Sequence, residues 1–324
     1  PEEVVVMNNL TVNLHLLLAS FYRPTGKRFK IIMEGGAFPS DMYVIESQVK
    51  HHGYEYSDAV VEINPREGEH ALRTEDIVAK INEVGEECAL VFFSGVQYYT
   101  GQAFNVKALT EAAHSVGAYA GFDCAHAAGN IKMELHDWDV DFAAWCTYKY
   151  MNSSPGGVSG VFVHEKHGNN PDIPRLAGWW GHKESERFQM KKGFIPEPGA
   201  AGWQLSNAPV LAMAAHKASL DMFDEVGMDA LVAKGKQLNT FLEQVLMDAQ
   251  AANDKIAFEI ITPGERGCQI SILTNENGKA LFDYLTERDV VVDWREPNVI
   301  RLAPVPMYNS FMDVWEFGEL LKGF

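Results

Sequence analysis

Lys149 sits in the stretch AWCTYKYMNSSPGGVSGVF, after the apolar run from Phe142 to Cys146 and before the chain-breaking run Asn152-Ser153-Ser154-Pro155-Gly156-Gly157. No acid stands at helix spacing to pair with it. It is either an edge lysine with its head in water or a chemical tool. A lysine delivered by a strand to a loop can form an imine with an aldehyde when burial and nearby cations lower its pKa. Asp123 closes another apolar run, and a carboxylate in such a place can keep a pyridinium nitrogen protonated. Together the two are the protein side of pyridoxal phosphate chemistry. A phosphate also needs hydroxyls, backbone N–H groups or a helix N-terminus. Thr11 in NNLTVNLH, the turn Phe38–Asp41 and Tyr148 are candidates for that task.

Each of these residues also has an ordinary use. A lone lysine is most often a surface residue, and an aspartate before AHAAGN is commonly a helix N-cap. His126 fits a polar loop, Phe38 a core, and SSPGG a generic turn. Residue types alone leave both readings open.

The elements that would position these groups alternate. Phe29–Met33, Ala89–Phe93, Ala118–Phe122, Asp141–Cys146 and Gly160–His164 read as strands. ALRTEDIVAKINEVG, with Gly85 as its C-cap, and NVKALTEAAHSVG read as helices between them. Apolar, non-alternating strands separated by helices argue for an α/β layer around a mostly parallel sheet, and such sheets gather ligands beyond the carboxyl ends of their strands. Ser94, Asp123 and Lys149 fall at those ends. From about Asn207 the pattern becomes two long helices, then short strands at Ile256–Ile261, Cys268–Leu273, Val290–Trp294 and Val299–Leu302, then a last helix near Phe311–Leu321. We expect a large domain over residues 1–206 and an interdomain helix with a smaller α+β domain over residues 207–324.

The 324 residues are 47% hydrophobic and 22% charged, an ordinary globular balance. A formal net charge of −17 argues against nucleic acid or an anionic membrane as partner. No apolar run approaches the ~18 residues of a spanning helix. The four cysteines lack CxxC or CxH spacing, which suits reduced thiols in a cytoplasmic protein and neither a disulfide framework nor a zinc site. The chain opens at Pro1 and passes directly into EEVVVMNNLTVNLHLLLASF, patterned like a domain interior. That opening raises the expectation of further chain before it.

Eight motifs in order, NNLTVNLH, AFPSDMY, GFDCAHAAGN, WCTYKYMNSSPGG, GWWGH, LSNAP, RGCQISI and IRLAPVPMYNSF, resemble the kynureninase family from near Asn8 to the C-terminus. The resemblance implies a pyridoxal-phosphate enzyme of fold type I, with a seven-stranded type of sheet in its large domain, working as a homodimer with shared active sites. It implies hydrolysis of the Cβ–Cγ bond of L-kynurenine, or of 3-hydroxykynurenine, to anthranilate or its 3-hydroxy form and L-alanine, within tryptophan catabolism and NAD biosynthesis. Lys149 would bind the cofactor aldehyde and serve as base at the substrate Cα. Asp123 would partner the pyridinium, Phe38 would stack on the ring, and Tyr148 would move protons in later steps. Leu10, Thr11, Ser40, Asp41, Ser94 and His126 would complete the cofactor shell. Trp179 and Asn207 match positions at the dimer interface, and Arg301 matches the arginine that binds the substrate carboxylate. A further histidine of the family's site lies N-terminal to the sequence read here. Trp180, Tyr98 and Tyr99 are candidate walls of an aromatic slot.

There are two rival readings. A cysteine desulfurase or class V aminotransferase would share the fold, but a desulfurase needs a reactive cysteine on a mobile loop; Cys268 falls in a strand pattern and Cys124 adjoins Asp123. A non-catalytic cofactor binder or a structural dimerisation partner is the other reading, and Lys149, Asp123, Tyr148 and Arg301 together argue against it, since a binder has no use for Arg301.

Overall fold

The computed structural model describes residues 1–170 and 172–324. Its first sheet is built from β1 (Val4–Met7), β2 (Lys30–Glu34), β3 (Val60–Ile63), β4 (Cys88–Ser94), β5 (Tyr119–Asp123), β6 (Phe142–Cys146) and β7 (Ser159–Val163). The strand order is β1-β7-β6-β5-β4-β2-β3. The pairs from β6 to β3 are parallel, whereas β7 runs antiparallel to β6 and β1 antiparallel to β7. The turn after Lys149 explains the reversal: a connection too short for a crossover helix returns the chain beside β6, pairing Cys146 with Ser159.

Both faces of the sheet are covered. On β4, Leu90 and Phe92 join one apolar cluster while Val91 and Phe93 join the other. A strand buried on both sides reads as continuously apolar because its period-2 alternation separates two cores, not core and water. One core receives Leu14 and Leu17 of α1 (Leu10–Phe21) and Val44, Ile45 and Val49 of α2 (Pro39–His51). The other receives Ile77 and Ile81 of α3 (Thr74–Val84) and Leu109 and Ala113 of α4 (Val106–Ser115). Gly121 of β5 is fixed by this packing: a Cβ there would fall 2.1 Å from the Phe142 ring on β6.

Helices α5 (Val210–Val226) and α6 (Met228–Ala252) lead to a second sheet of β8 (Phe258–Ile260), β9 (Ile270–Thr274), β10 (Asp293–Arg295) and β11 (Val299–Leu302), all antiparallel in the order β10-β11-β9-β8. Between them in sequence runs α7 (Gly278–Thr286), and α8 (Phe311–Lys322) closes the chain as described. Leu238, Leu242 and Leu246 of α6 and Phe317 and Leu321 of α8 bury one side of this sheet.

The small sheet is tied to the loops that follow β4 and β5. Ser271 Oγ donates to the Tyr99 carbonyl at 2.5 Å, Thr262 Oγ1 to the Thr100 carbonyl at 2.5 Å, and the Cys268 N–H to Asn130 Oδ1 at 2.7 Å. Those loops carry site residues, so the seating of the small sheet fixes how β11 faces the large one. Among the described residues no helix is long and apolar enough to cross a membrane.

Candidate active site

The carboxyl ends of β2, β4 and β5, the N-termini of α1 and α2, and the loop after β6 meet around a cavity of about 220 Å³. All the expected cofactor-shell residues line it except Trp179 and Asn207. A second cleft shares Phe38, His126 and Lys149 with the first and extends to Arg295, Arg301 and Tyr308 of the small domain. Lys149 therefore stands at the junction of the two.

Asp123 closes β5 at the cavity floor, and its Oδ1 accepts the Ala125 N–H at 2.7 Å. Burial raises its pKa, with Asp41, the Ala125 N–H and Lys149 pulling the other way. Asp41, in the first turn of α2, is pushed well above the carboxylate range by burial and by the Asp123 charge. Burial raises both carboxyls and the Asp123 charge raises Asp41 further, while the Lys149 charge pulls both back down.

Glu34 is a residue that sequence reasoning missed. It ends β2 in the same cavity, and its Oε1 accepts both the Ser94 N–H at 2.9 Å and the Ser94 hydroxyl at 2.5 Å. Complete burial lifts it to about 7 against the pull of Ser94, and Asp123 adds to the rise. The strand-end rule that flagged Ser94 and Asp123 also reaches Glu34, since EGGAFPSD begins with it.

Phe38 is the residue before Pro39 at the head of α2. Its ring is 37% exposed and meets Tyr98 edge-on at 5.1 Å, with Lys149 Nζ 5.5 Å from its centroid. Burial keeps the Tyr148 phenol protonated, with its pKa up at about 12. His126 is held neutral: burial first, then Lys149, Arg301 and Arg295, drive its pKa well below the usual value.

Arg301 lies on β11, 11% exposed, with Nη1 donating to the Tyr98 carbonyl at 2.5 Å and Nη2 engaged by Asp293 of β10. Its Nε has no partner among the described residues. Sequence reading found Arg301 but neither Asp293, which pairs with it across the two strands, nor Arg295 and Tyr308, which share its cleft. Trp179 and Asn207 are exposed, away from both clefts; Trp179 meets Phe188 edge-on at 5.7 Å. Tyr98 walls the cavity, Tyr99 belongs to a neighbouring depression, and Trp180 lies under the Arg187 guanidinium at 4.4 Å.

The residues present fit pyridoxal phosphate. A buried carboxylate, an amine and an exposed ring face one space of the right kind for a flat polar guest. Three buried polar atoms of this cavity's residues, Glu34 Oε2, Asp41 Oδ1 and His126 Nδ1, have no hydrogen-bond partner among the described residues. At the head of α1 the Asn9 side chain makes no cap bond, leaving the first-turn N–H groups beside Leu10 and Thr11 for an anion.

The four cysteines are all free and buried. Burial raises Cys88 and Cys268 to about 12 and lifts Cys124 and Cys146 as well. None is placed as the exposed, activated thiol of a desulfurase.

The chain is also similar to known proteins. Residues 1–257 match the family Aminotransferase class-V, and residues 231–321 match the Kynureninase C-terminal domain. The chain is 59% identical over 325 residues to the kynureninase of Flavobacterium johnsoniae, covering 99% of this chain and 76% of that protein. It is 50% identical to the kynureninase of Myxococcus xanthus, covering 100% and 76%, and 50% identical to that of Nematostella vectensis, covering 99% and 71%. In fold it is similar to a C-DES mutant with glycine covalently linked to the PLP cofactor, at a TM-score of 0.83 and 15% identity over 100% of this chain and 81% of that one. It is also similar to the apo cysteine desulfurase of Thermococcus onnurineus, at a TM-score of 0.77 and 17% identity over 100% and 80%.

Proposed function

The chain belongs to the kynureninase family, and we propose that the cavity around Lys149 is where it works. The family's activity is pyridoxal-phosphate-dependent hydrolysis of a carbon–carbon bond, converting L-kynurenine, or its 3-hydroxy form, to anthranilate or 3-hydroxyanthranilate and L-alanine. The observation that carries the assignment to these residues is the position of Lys149 between the cavity holding Asp123 and the cleft leading to Arg301.

Bound pyridoxal phosphate would supply the electron sink for charge developing at the substrate Cα. Lys149 Nζ would hold the cofactor through its aldehyde and would move the proton at the substrate Cα. The Asp123 carboxylate would hold a proton at the pyridine nitrogen. Phe38 would offer a flat face to the ring, and Ser40, Thr11 and the first turn of α1 would donate to polar groups around it, while Ser94, whose N–H and hydroxyl both go to Glu34, could only accept. Tyr148 Oη, protonated at neutral pH, is placed to move protons in the later steps. Arg301, braced by Asp293 and the Tyr98 carbonyl, would hold and orient the substrate carboxylate.

The division into residues 1–206 and 207–324 is part of the proposal; the second unit opens just before α5 and contains the β8–β11 sheet. So is a cytoplasmic location, which four free thiols favour. So too is a homodimer with shared sites, supported by the exposure of Trp179 and Asn207 away from the cavity of their own chain.

Reduction of the cofactor-loaded protein with borohydride, followed by peptide mapping, tests the site. The label is expected on Lys149; a label on another lysine overturns the assignment. For the dimer, inactive Lys149→Ala and inactive Asn207→Ala chains are mixed under conditions of subunit exchange. Recovered turnover supports shared sites, and none contradicts them.

A further inference from the structure

At the end of the large sheet opposite the cofactor cavity, three side chains from distant parts of the chain converge. Glu3 stands just before β1, His136 in the connection from β5 to β6, and His164 just after β7. His136 Nδ1 lies 3.0 Å from both Glu3 oxygens, and His164 Nδ1 lies 3.7 Å from Glu3 Oε1. The donor atoms all fall within 4.8 Å of one another. The two imidazoles stack with centroids 4.8 Å apart and planes at 12°, so both Nδ1 atoms address the same carboxylate. From this convergence we infer that Glu3, His136 and His164 form a binding site for a divalent transition metal of the zinc class.

The donor chemistry selects the ion. Two imidazole nitrogens and one carboxylate suit Zn²⁺ or Co²⁺, whereas Mg²⁺ and Ca²⁺ prefer all-oxygen cages. Bonds of about 2 Å to a common ion need donors roughly 3–4 Å apart, so only small side-chain adjustments are required. Glu3 Oε1 also accepts the Glu165 N–H at 2.7 Å, which fixes the carboxylate and leaves lone pairs for an ion.

The surroundings act as an outer shell. His164 Nε2 faces Asp139 Oδ1 at 3.5 Å, which favours the tautomer carrying its proton on Nε2 and its lone pair on Nδ1. The Lys166 N–H donates to that Nδ1 at 3.2 Å, a bond that an ion would replace. Lys166 Nζ is turned away, held by Asp139 at 2.6 Å and Asp141 at 3.1 Å. His164 is buried. Sequence spacing could not reveal this site, because its ligands lie at positions 3, 136 and 164. An ion here would fasten the edge strand β1 to the body of the sheet, far from the chemistry at Lys149.

The test is calorimetric titration of the untagged, cofactor-loaded protein with Zn²⁺, with Co²⁺ absorption as a ligand-sensitive probe. One ion per chain is expected. Binding should vanish in Glu3→Gln and in His136→Ala, weaken about 10–100-fold in Asp139→Asn, and persist in the control His51→Ala. Cofactor content and anthranilate production should be unchanged in Glu3→Gln, which shows that the variant is folded. Zn²⁺ should raise the melting temperature of the parent protein and leave that of Glu3→Gln unmoved. Absence of stoichiometric binding, or binding that survives both ligand substitutions, overturns the inference.

Discussion

Lys149 Nζ lies 5.5 Å from the centroid of the Phe38 ring, and that ring is more than a third exposed while Phe21, Phe92, Phe93, Phe122 and Phe142 are fully buried. An aromatic face held open beside an amine is arranged for a flat guest between them. Stacking of this kind contributes about 0.5–1.5 kcal/mol beyond area burial. Phe38→Leu should therefore weaken pyridoxal phosphate binding by roughly 2- to 10-fold, measured by equilibrium dialysis, without altering the fold. Unchanged affinity would remove Phe38 from the cofactor's surroundings.

We read Arg301 as the group that receives the substrate carboxylate. Asp293 and the Tyr98 carbonyl hold its two Nη atoms while Nε stays without a partner among the described residues. Hydrogen bonds to charged groups contribute about 1.5–3 kcal/mol. Arg301→Lys keeps the charge and loses the fork, so KM for kynurenine should rise about 10- to 100-fold with a smaller change in kcat. Steady-state kinetics distinguish this from a role in chemistry, which would lower kcat with little effect on KM.

Glu34 makes stability depend on pH in an unusual sense. Its folded pKa is raised to about 7 from 4.5 by burial. A carboxyl whose folded pKa is raised contributes stability in full below its unfolded pKa and loses it as pH rises through the folded value. The loss is complete above about pH 7 and corresponds to about 3 kcal/mol for a group this deeply buried. Glu34→Gln keeps an acceptor for Ser94 and removes the titration. In denaturant unfolding of the cofactor-free protein, the variant should gain on the parent by up to about 3 kcal/mol between pH 5 and pH 8. A constant difference across that range would show that Glu34 does not titrate as described.

Much of this arrangement is legible in the residues. The apolar runs that end in Ser94, Asp123 and Lys149 become β4, β5 and β6 with its following loop, because strands buried on both faces must be continuously apolar and their polar followers fall on one sheet edge. Gly85 terminates α3 at a positive φ of 55°, as its place after Val84 implied. β1 and β3 were not foreseen, since each is a four-residue strand at the margin of the sheet and carries too little pattern to stand out. Contacts made across the chain were equally hidden. Asp293 beside Arg301 depends on the register of β10 against β11, and Glu34 beside Ser94 on β2 lying next to β4. The expected interface residues Trp179 and Asn207 lie on the surface of a single chain, where local pattern has little to say.

The most direct test of the account is turnover of L-kynurenine by the protein supplied with pyridoxal phosphate, comparing the parent chain with Lys149→Ala by anthranilate fluorescence. The account expects anthranilate from the parent chain and a loss of at least about 100-fold in the variant, the scale of a positioned proton-transfer group. Turnover in Lys149→Ala equal to that of the parent chain would contradict it.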